Sequence, residues 1–228
     1  MRSPGTVLVT GGASGLGAAV VAAVSEAGGS PLVLDLKPPA DDVPYVAVDL
    51  ADSRAAEEAT RAIAEQVGTL DGVVTAAGID VPGRLEDVPG PEWERILAVN
   101  LLGTAAVVRA AVPHLRRSHG TVVTVASTLG VKAVSDATAY CAAKFGVVGF
   151  TRALAAELAG EVGVTLLIPG GMSTAFFDSR EERYRPGPDA ILNDPANVAQ
   201  TVLFALTQPP GCAVREMVVC AERETSYP

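Results

Sequence analysis

Short unbroken apolar runs alternate along the chain with longer stretches of helical period. Thr6–Thr10 (TVLVT) is the first such run and predicts a strand buried on both faces. Residues 18–24 (AAVVAAV) predict a helix that Gly28-Gly29 ends. The strand signal returns at Pro31–Asp35, at Tyr45–Asp49, and at Leu70–Gly78, where the last residues form an exit turn. It returns again at Gly120–Ser127, Gly163–Pro169 and Val214–Val219. Helices are predicted from Ser53, a capping residue, to about Val67, from Trp93 to about Pro113, from Ala137 to about Glu161, and from Asn197 to about Thr207. Gly83 to Pro91 reads as loop, and Pro113 lies where its helix ends or kinks. Strands alternating with helices predict an α/β protein: a doubly wound parallel sheet, the Rossmann fold, of about seven strands with helices on both faces. Only about eight residues, Pro38-Pro39 and Asp41-Asp42 among them, separate the second strand from the third. A parallel crossover usually needs a dozen or more, so that connection is expected to lack its helix or reduce it to a turn.

Composition narrows the class. The 228 residues suffice for one domain, and neither an internal repeat nor a linker divides residues 1–228. A net charge of −9 argues against a nucleic acid or an anionic membrane as partner. Cys141, Cys212 and Cys220 lack metal or redox spacing, and with only His114 and His119 no metal site is expected. Met1 leads into an apolar run without a signal-peptide pattern, and no apolar run reaches membrane-spanning length; a cytoplasmic protein is the default expectation.

The chemistry concentrates in a few stretches. Gly11-Gly-Ala-Ser-Gly-Leu-Gly17 stands between the first strand and its helix, where bare backbone N–H groups and a helix N-terminus can cradle a phosphate. Its spacing, Gly-x-x-x-Gly-x-Gly, differs from the usual dinucleotide fingerprint, and a plain turn is the alternative. Asp35 ends the second strand 18 residues after Gly17, close to the place of the carboxylate that holds an adenosine ribose. A carboxylate there repels a 2′-phosphate, which favours NAD over NADP, although Lys37 could soften that repulsion; a solvated strand end is the bland alternative. Tyr140 and Lys144 stand at i and i+4 and share a helix face. A cation beside a phenol lowers its pKa and makes it a candidate general acid/base, but most such pairs are solvated helix faces. Ser127 ends the fifth strand, where ligands of open α/β sheets collect, and equally suits a capping Ser. Ala175–Pro195 is rich in charge (Arg180, Glu181, Glu182, Arg183, Arg185) and reads either as a solvated face or as a substrate lid.

Taken together and in order, these residues resemble the short-chain dehydrogenase/reductase family, in its common single-domain branch, over Thr6 to about Val219. The family's Thr-Gly-x-x-x-Gly-x-Gly motif stands at Thr10–Gly17. The resemblance implies an NAD(H)-dependent oxidoreductase that interconverts a secondary alcohol and a ketone. Asn100, Ser127, Tyr140 and Lys144 would be catalytic: Tyr140 the general acid/base, Lys144 lowering its pKa and holding the nicotinamide ribose, Ser127 orienting the carbonyl, Asn100 holding a water in a proton relay. The cofactor would rest on Gly11, Ser14, Gly15, Leu16, Gly17, Asp35, Asp49, Leu50, Ala76, Ala77 and Gly78. At the nicotinamide end the contacts would be Tyr140, Lys144, Pro169, Gly170, Met172 and Thr174. Substrate-side candidates are Asp80, Leu129, Val134, Gly171, Met172, Phe176 and Phe177, which imply a largely apolar alcohol or ketone such as a hydroxyacyl thioester, a steroid-like alcohol or a polyketide-type ketone. A homo-oligomer is implied too.

The chain departs from the family in places. Thr75-Ala76-Ala77-Gly78 replaces the usual Asn-Asn-Ala-Gly, so a bridging amide between central strands is missing. The segment from Thr174 to Asp194 is short for a lid. The tail from Cys220 to Pro228 replaces a Gly-rich ending, which bears on the common tetramer contact more than on the chemistry. An NADP-dependent ketoreductase of the same family and a non-catalytic dinucleotide-binding regulatory protein are the alternative readings.

Overall fold

The structure is a computed structural model that describes residues 2–40 and 42–227. Met1, Asp41 in the link between the second and third strands, and Pro228 lie outside the described residues. Seven strands form one parallel sheet in the order β3-β2-β1-β4-β5-β6-β7. They are β1 (Thr6–Thr10), β2 (Ser30–Asp35), β3 (Tyr45–Ala47), β4 (Gly72–Thr75), β5 (Thr121–Val125), β6 (Gly163–Pro169) and β7 (Glu216–Val219). The helices are α1 (Gly15–Glu26), α2 (Ser53–Val67), α3 (Gly90–Leu97), α4 (Thr104–Ser118), α5 (Thr138–Glu157) and α6 (Pro195–Leu206).

The continuous apolar strands follow from burial on both sides. Successive residues point to opposite faces. Leu8, Val73, Val122 and Val164 face the core under α2, α4 and α5. Val7, Val9, Val74, Val123 and Leu167 face the core under α1 and α6. As the link length predicts, β2 and β3 pair in parallel without a helix between them, and β3 is only three residues long. Tyr45–Asp49 therefore overstates the strand, and Asp49 lies beyond its end.

The helix predicted from Trp93 to Pro113 runs from Gly90 to Ser118, and its middle, Ala98–Gly103, is a π-helical turn that holds Asn100. Pro91 opens it, a position where proline's missing N–H costs nothing. Pro113 sits inside α4 and does not end it; the stop comes at His119, which takes the left-handed conformation. By length and composition Gly90–Ser118 could span a membrane, yet over half of its most apolar stretch is buried inside this fold.

The strand order reverses between β1 and β4. The crevice outside the carboxyl ends at that point is where open α/β sheets bind ligands. Thr10, Thr75 and Thr124 stand in register across β1, β4 and β5, so the three strands deliver their exit loops to one rim. The missing amide of the β4 exit leaves a mark there: the Thr75 hydroxyl is buried and bonds nothing among the described residues. Thr10 Oγ1 accepts instead from Ala77 N–H at 3.2 Å and holds the exit turn.

Candidate active site

At the first βα turn, glycine is required by contact. A Cβ on Gly17 would lie 2.1 Å from the Gly11 carbonyl oxygen, and one on Gly11, whose φ is +72°, would lie 2.7 Å from Ala77 Cα. The loop is pressed between the helix it opens and the β4 exit. Ser14 precedes α1 in extended conformation, its side chain caps no N–H, and no acid stands in the first turn. The amino end of α1 therefore keeps free donors and its positive pole, the requirements of an anion site. Asp35 Oδ2 accepts from Ala13 N–H at 3.0 Å and Oδ1 from Lys37 N–H at 3.1 Å, so the carboxylate that would meet a ribose also fastens this loop to the end of β2.

These elements border a cavity of about 530 Å³. Gly11, Ser14, Gly15, Leu16, Asp35, Asp49 and Leu50 line it. Ala76, Ala77, Gly78, Ser127, Tyr140, Lys144, Pro169, Gly170, Met172 and Thr174 line it as well. Gly17 and Asn100 stand behind the lining. Gly15 and Thr174 face each other, since a Cβ on Gly15 would lie 3.5 Å from the Thr174 methyl. Of the substrate-side candidates, Leu129, Gly171, Met172, Phe176 and Phe177 border the cavity. Val134 does not, being exposed on the loop before α5, and Asp80 is turned to Arg180.

The catalytic candidates come from three elements. Ser127 follows β5 and caps a short 3₁₀ turn, its Oγ accepting from Leu129 N–H at 3.1 Å. Tyr140 and Lys144 lie one turn apart at the start of α5, and the Ser127 hydroxyl is near enough to the Tyr140 phenol to favour its ionised form. The Lys144 ammonium is only 4% exposed and donates to the Val125 carbonyl at 2.9 Å, 5.6 Å from the centre of the Tyr140 ring. Asn100 is fully buried. Its amide is committed twice to Ile79: Oδ1 accepts from Ile79 N–H and Nδ2 donates to Ile79 O, both at 2.8 Å. The side chain thus pins the β4 exit beside Gly78, and the Asn100 backbone carbonyl accepts from Thr104 Oγ1 at 3.0 Å.

One expectation about the pair is corrected. The phenol is not lowered by Lys144 in this geometry; burial pushes it up to about 12, and the nearby Ser127 hydroxyl only partly opposes that. The ammonium is itself desolvated, which pulls Lys144 down to about 8.

The sign of the resulting pH dependence is definite. A lysine titrating near 8 when folded and near its ordinary value when unfolded binds more protons in the unfolded chain between those limits. Stability attributable to it therefore rises with pH from about 8 towards 10.5. Urea unfolding of the wild type and Lys144→Met, at pH 7.5 and 9.5, is expected to show the wild type gaining relative to the variant by on the order of 1–3 kcal/mol. A difference independent of pH would contradict a desolvated Lys144.

Several lining residues escaped the sequence reading, Arg95, Arg180, Glu224 and Ser226 among them. Arg95 on α3 holds Asp49 at 3.0 Å at the end assigned to adenosine. Arg180, in the segment read either as a solvated face or as a substrate lid, turns inward to the cavity. Glu224 and Ser226 come from the tail: Glu224 Oε2 accepts from Gly171 N–H at 2.9 Å, and Ser226 Oγ shares a hydrogen bond of 2.6 Å with Thr128 Oγ1. The altered tail therefore borders the site. Only the Gly-rich ending that it replaces could have drawn attention to it.

A Gly-rich loop at a strand-helix junction, a carboxylate at the next strand's end, and Ser, Tyr and Lys around one cavity define a nicotinamide dinucleotide oxidoreductase. A family model described as short chain dehydrogenase matches residues 5–185. The chain belongs to the short-chain dehydrogenase/reductase family, whose members bind a nicotinamide dinucleotide. It is 28% identical to the L-fucose dehydrogenase of Mus musculus, over 97% of this chain and 89% of that protein. It is 31% identical to an uncharacterised oxidoreductase of Staphylococcus aureus strain MW2, over 93% of this chain and 95% of the relative. The fold matches an alcohol dehydrogenase of the archaeon Thermococcus sibiricus solved with 5-hydroxy-NADP, with TM-score 0.83, 23% identity, and coverage of 94% of this chain and 95% of that one. It also matches the ligand-free aldohexose dehydrogenase of Thermoplasma acidophilum, with TM-score 0.84, 23% identity, and coverage of 96% and 93%.

Proposed function

We propose that the protein is an NAD-dependent dehydrogenase that interconverts a secondary alcohol and a ketone. The observation that carries this reading is the convergence of Ser127, Tyr140 and Lys144 on a cavity that Asp35 also lines. The cradle fits a dinucleotide: Gly11, Gly15 and Gly17 leave room for backbone to approach a pyrophosphate at the α1 N-terminus, and Asp35 can accept from ribose hydroxyls. Bound NAD supplies the hydride acceptor.

In the oxidising direction the carbinol loses hydride to the cofactor and its hydroxyl proton to Tyr140. In the reducing direction the phenol, neutral at pH 7 because burial raises it, returns that proton to the developing alkoxide. Ser127, beside the phenol, would donate its hydroxyl proton to the same substrate oxygen. Lys144, which borders the cavity one turn from Tyr140, would donate to a ribose hydroxyl of the cofactor. Asn100 fixes Ile79 and Gly78, and through them the floor on which the cofactor lies.

Asp35 supports NAD over NADP, because a carboxylate opposes a 2′-phosphate while the exposed Lys37 offers one cation nearby. Asp35→Ala is expected to lower kcat/KM for NADH by about ten- to a hundredfold, the worth of hydrogen bonds to a charged group, and to raise relative use of NADPH. Paired initial-rate assays with both cofactors measure it; a wild type that prefers NADPH, with the variant unchanged, would reverse the assignment.

A further inference from the structure

The strand order puts the exits of β2 and β3 on one side of the crevice between β1 and β4, and those of β5 and β6 on the other. Asp35 and Ala47 are partners in the β2–β3 ladder, so Val48, Asp49 and Leu50 leave the sheet beside the carboxylate that would hold a ribose. Ser127 leaves from the opposite side, after β5. A dinucleotide with its nicotinamide at Tyr140 and its second ribose at Asp35 would therefore bring its purine to the β3 exit. Val48, Leu50 and Val99 belong to one buried cluster and border the cavity there, which suits the faces of a flat heterocycle.

Arg95 reaches this place from α3, 46 positions along the chain, and lays one nitrogen, Nη2, on both oxygens of Asp49, at 3.2 Å and 3.0 Å. Asp49 is itself fixed, since its Oδ1 also accepts from Ala51 N–H at 2.9 Å. Both side chains are open to the ligand space: Arg95 is 44% and Asp49 38% exposed, and both residues line the cavity. An exposed pair held by a single nitrogen, without the two-pronged fork of strong arginine–carboxylate pairs, adds little to stability. What the contact does is hold a flat cation in one place at the cavity wall. Its other nitrogens, Nη1 and Nε, bond nothing among the described residues. A guanidinium held in this way stacks on an aromatic face at little cost in side-chain freedom.

We propose that Arg95 is a cofactor-binding residue whose guanidinium covers the purine of the dinucleotide, with Asp49 as its tether. The proposal rests on the dehydrogenase reading above for the direction in which the dinucleotide lies. It holds for NAD and NADP alike, because the purine is common to both.

Calorimetric titration with NADH, ADP-ribose and reduced nicotinamide mononucleotide tests it without turnover, NADPH replacing NADH if the wild type prefers it. Arg95→Met is expected to lower affinity for NADH and ADP-ribose by about 3–30-fold, the worth of a cation over an aromatic face. The mononucleotide carries no purine, and its affinity is expected to stay unchanged. Arg95→Lys keeps a charge beside Asp49 but has no flat face, and is expected to lose nearly as much. Both variants are expected to unfold at the wild-type temperature, because the pair is exposed. Full rescue by lysine would mean that Arg95 serves only as a charge beside Asp49, and overturn the proposal. Equal losses for dinucleotide and mononucleotide would overturn it too, as would an Arg95→Met protein that binds ADP-ribose as tightly as the wild type. All three results leave the dehydrogenase standing. A wild type that binds neither NADH nor NADPH would sink both.

Discussion

Tyr140→Phe is expected to lower kcat by about 10²–10⁴-fold, the usual worth of a positioned acid/base, while NADH binding changes little. The substitution removes one hydroxyl and leaves the ring against Phe176, so the packing that places α5 beside Ser127 survives. In the proposed reaction the phenol exchanges the proton at the reacting oxygen, and burial raises its pKa to about 12. NADH-linked turnover and NADH fluorescence separate the two effects. Activity within a fewfold of the wild type would show that proton transfer runs through another group. Saturable NADH binding in the wild type without turnover of any alcohol or ketone would favour a regulatory, non-catalytic protein.

The second large effect is expected at Gly17. A Cβ there would sit 2.1 Å from the Gly11 carbonyl and 3.0 Å from the Gly12 nitrogen, both backbone atoms. No rotamer relieves that clash; the loop and α1 must part. Gly17→Ala is expected to cost about 1–3 kcal/mol of stability, as overpacking does. Cofactor affinity should fall about a hundredfold, the penalty of misplacing a binding element by an ångström. Gly149→Ala, in α5 with nothing within 4 Å of the new Cβ, is the control and is expected to stabilise by about 0.5–1 kcal/mol. Chemical denaturation and NADH titration of both variants check this. A Gly17→Ala protein that binds NADH like the wild type would mean that the loop is a plain turn.

Much of the site was legible because its parts are local. A run of five apolar residues, a Gly-rich turn and an alanine-rich helix can each be read within a short window. Asp35, Ser127, Tyr140 and Lys144 fall at element ends that the hydrophobic pattern already marks. The π-helical turn around Asn100 was not legible, since nothing in AVNLLG distinguishes it from ordinary helix. Pro113 was misjudged for the opposite reason: local preference said stop, and packing between α2 and the sheet carried the helix on to Ser118. Val134 was assigned to the pocket by nearness in sequence to Ser127 and Tyr140, but the loop turns it outward. The pKa of Tyr140 was misjudged because adjacency on a helix face fixes neither burial nor the direction of a lysine's hydrogen bond.

What the sequence by itself determined is the order and type of the elements, the shortened link before β3, the cradle and the residues at the strand ends, since all of these depend on periodicity and neighbours a few positions apart. What only the tertiary structure decided is which distant residues meet at the cavity's edge: Arg180, which lines it, with Asp80 behind across 100 positions, and Glu224 on the Gly171 amide across 53. Those contacts come from how the segment after β6 and the tail fold back over the sheet's carboxyl edge, and their strength depends on burial. No short window of sequence carries either.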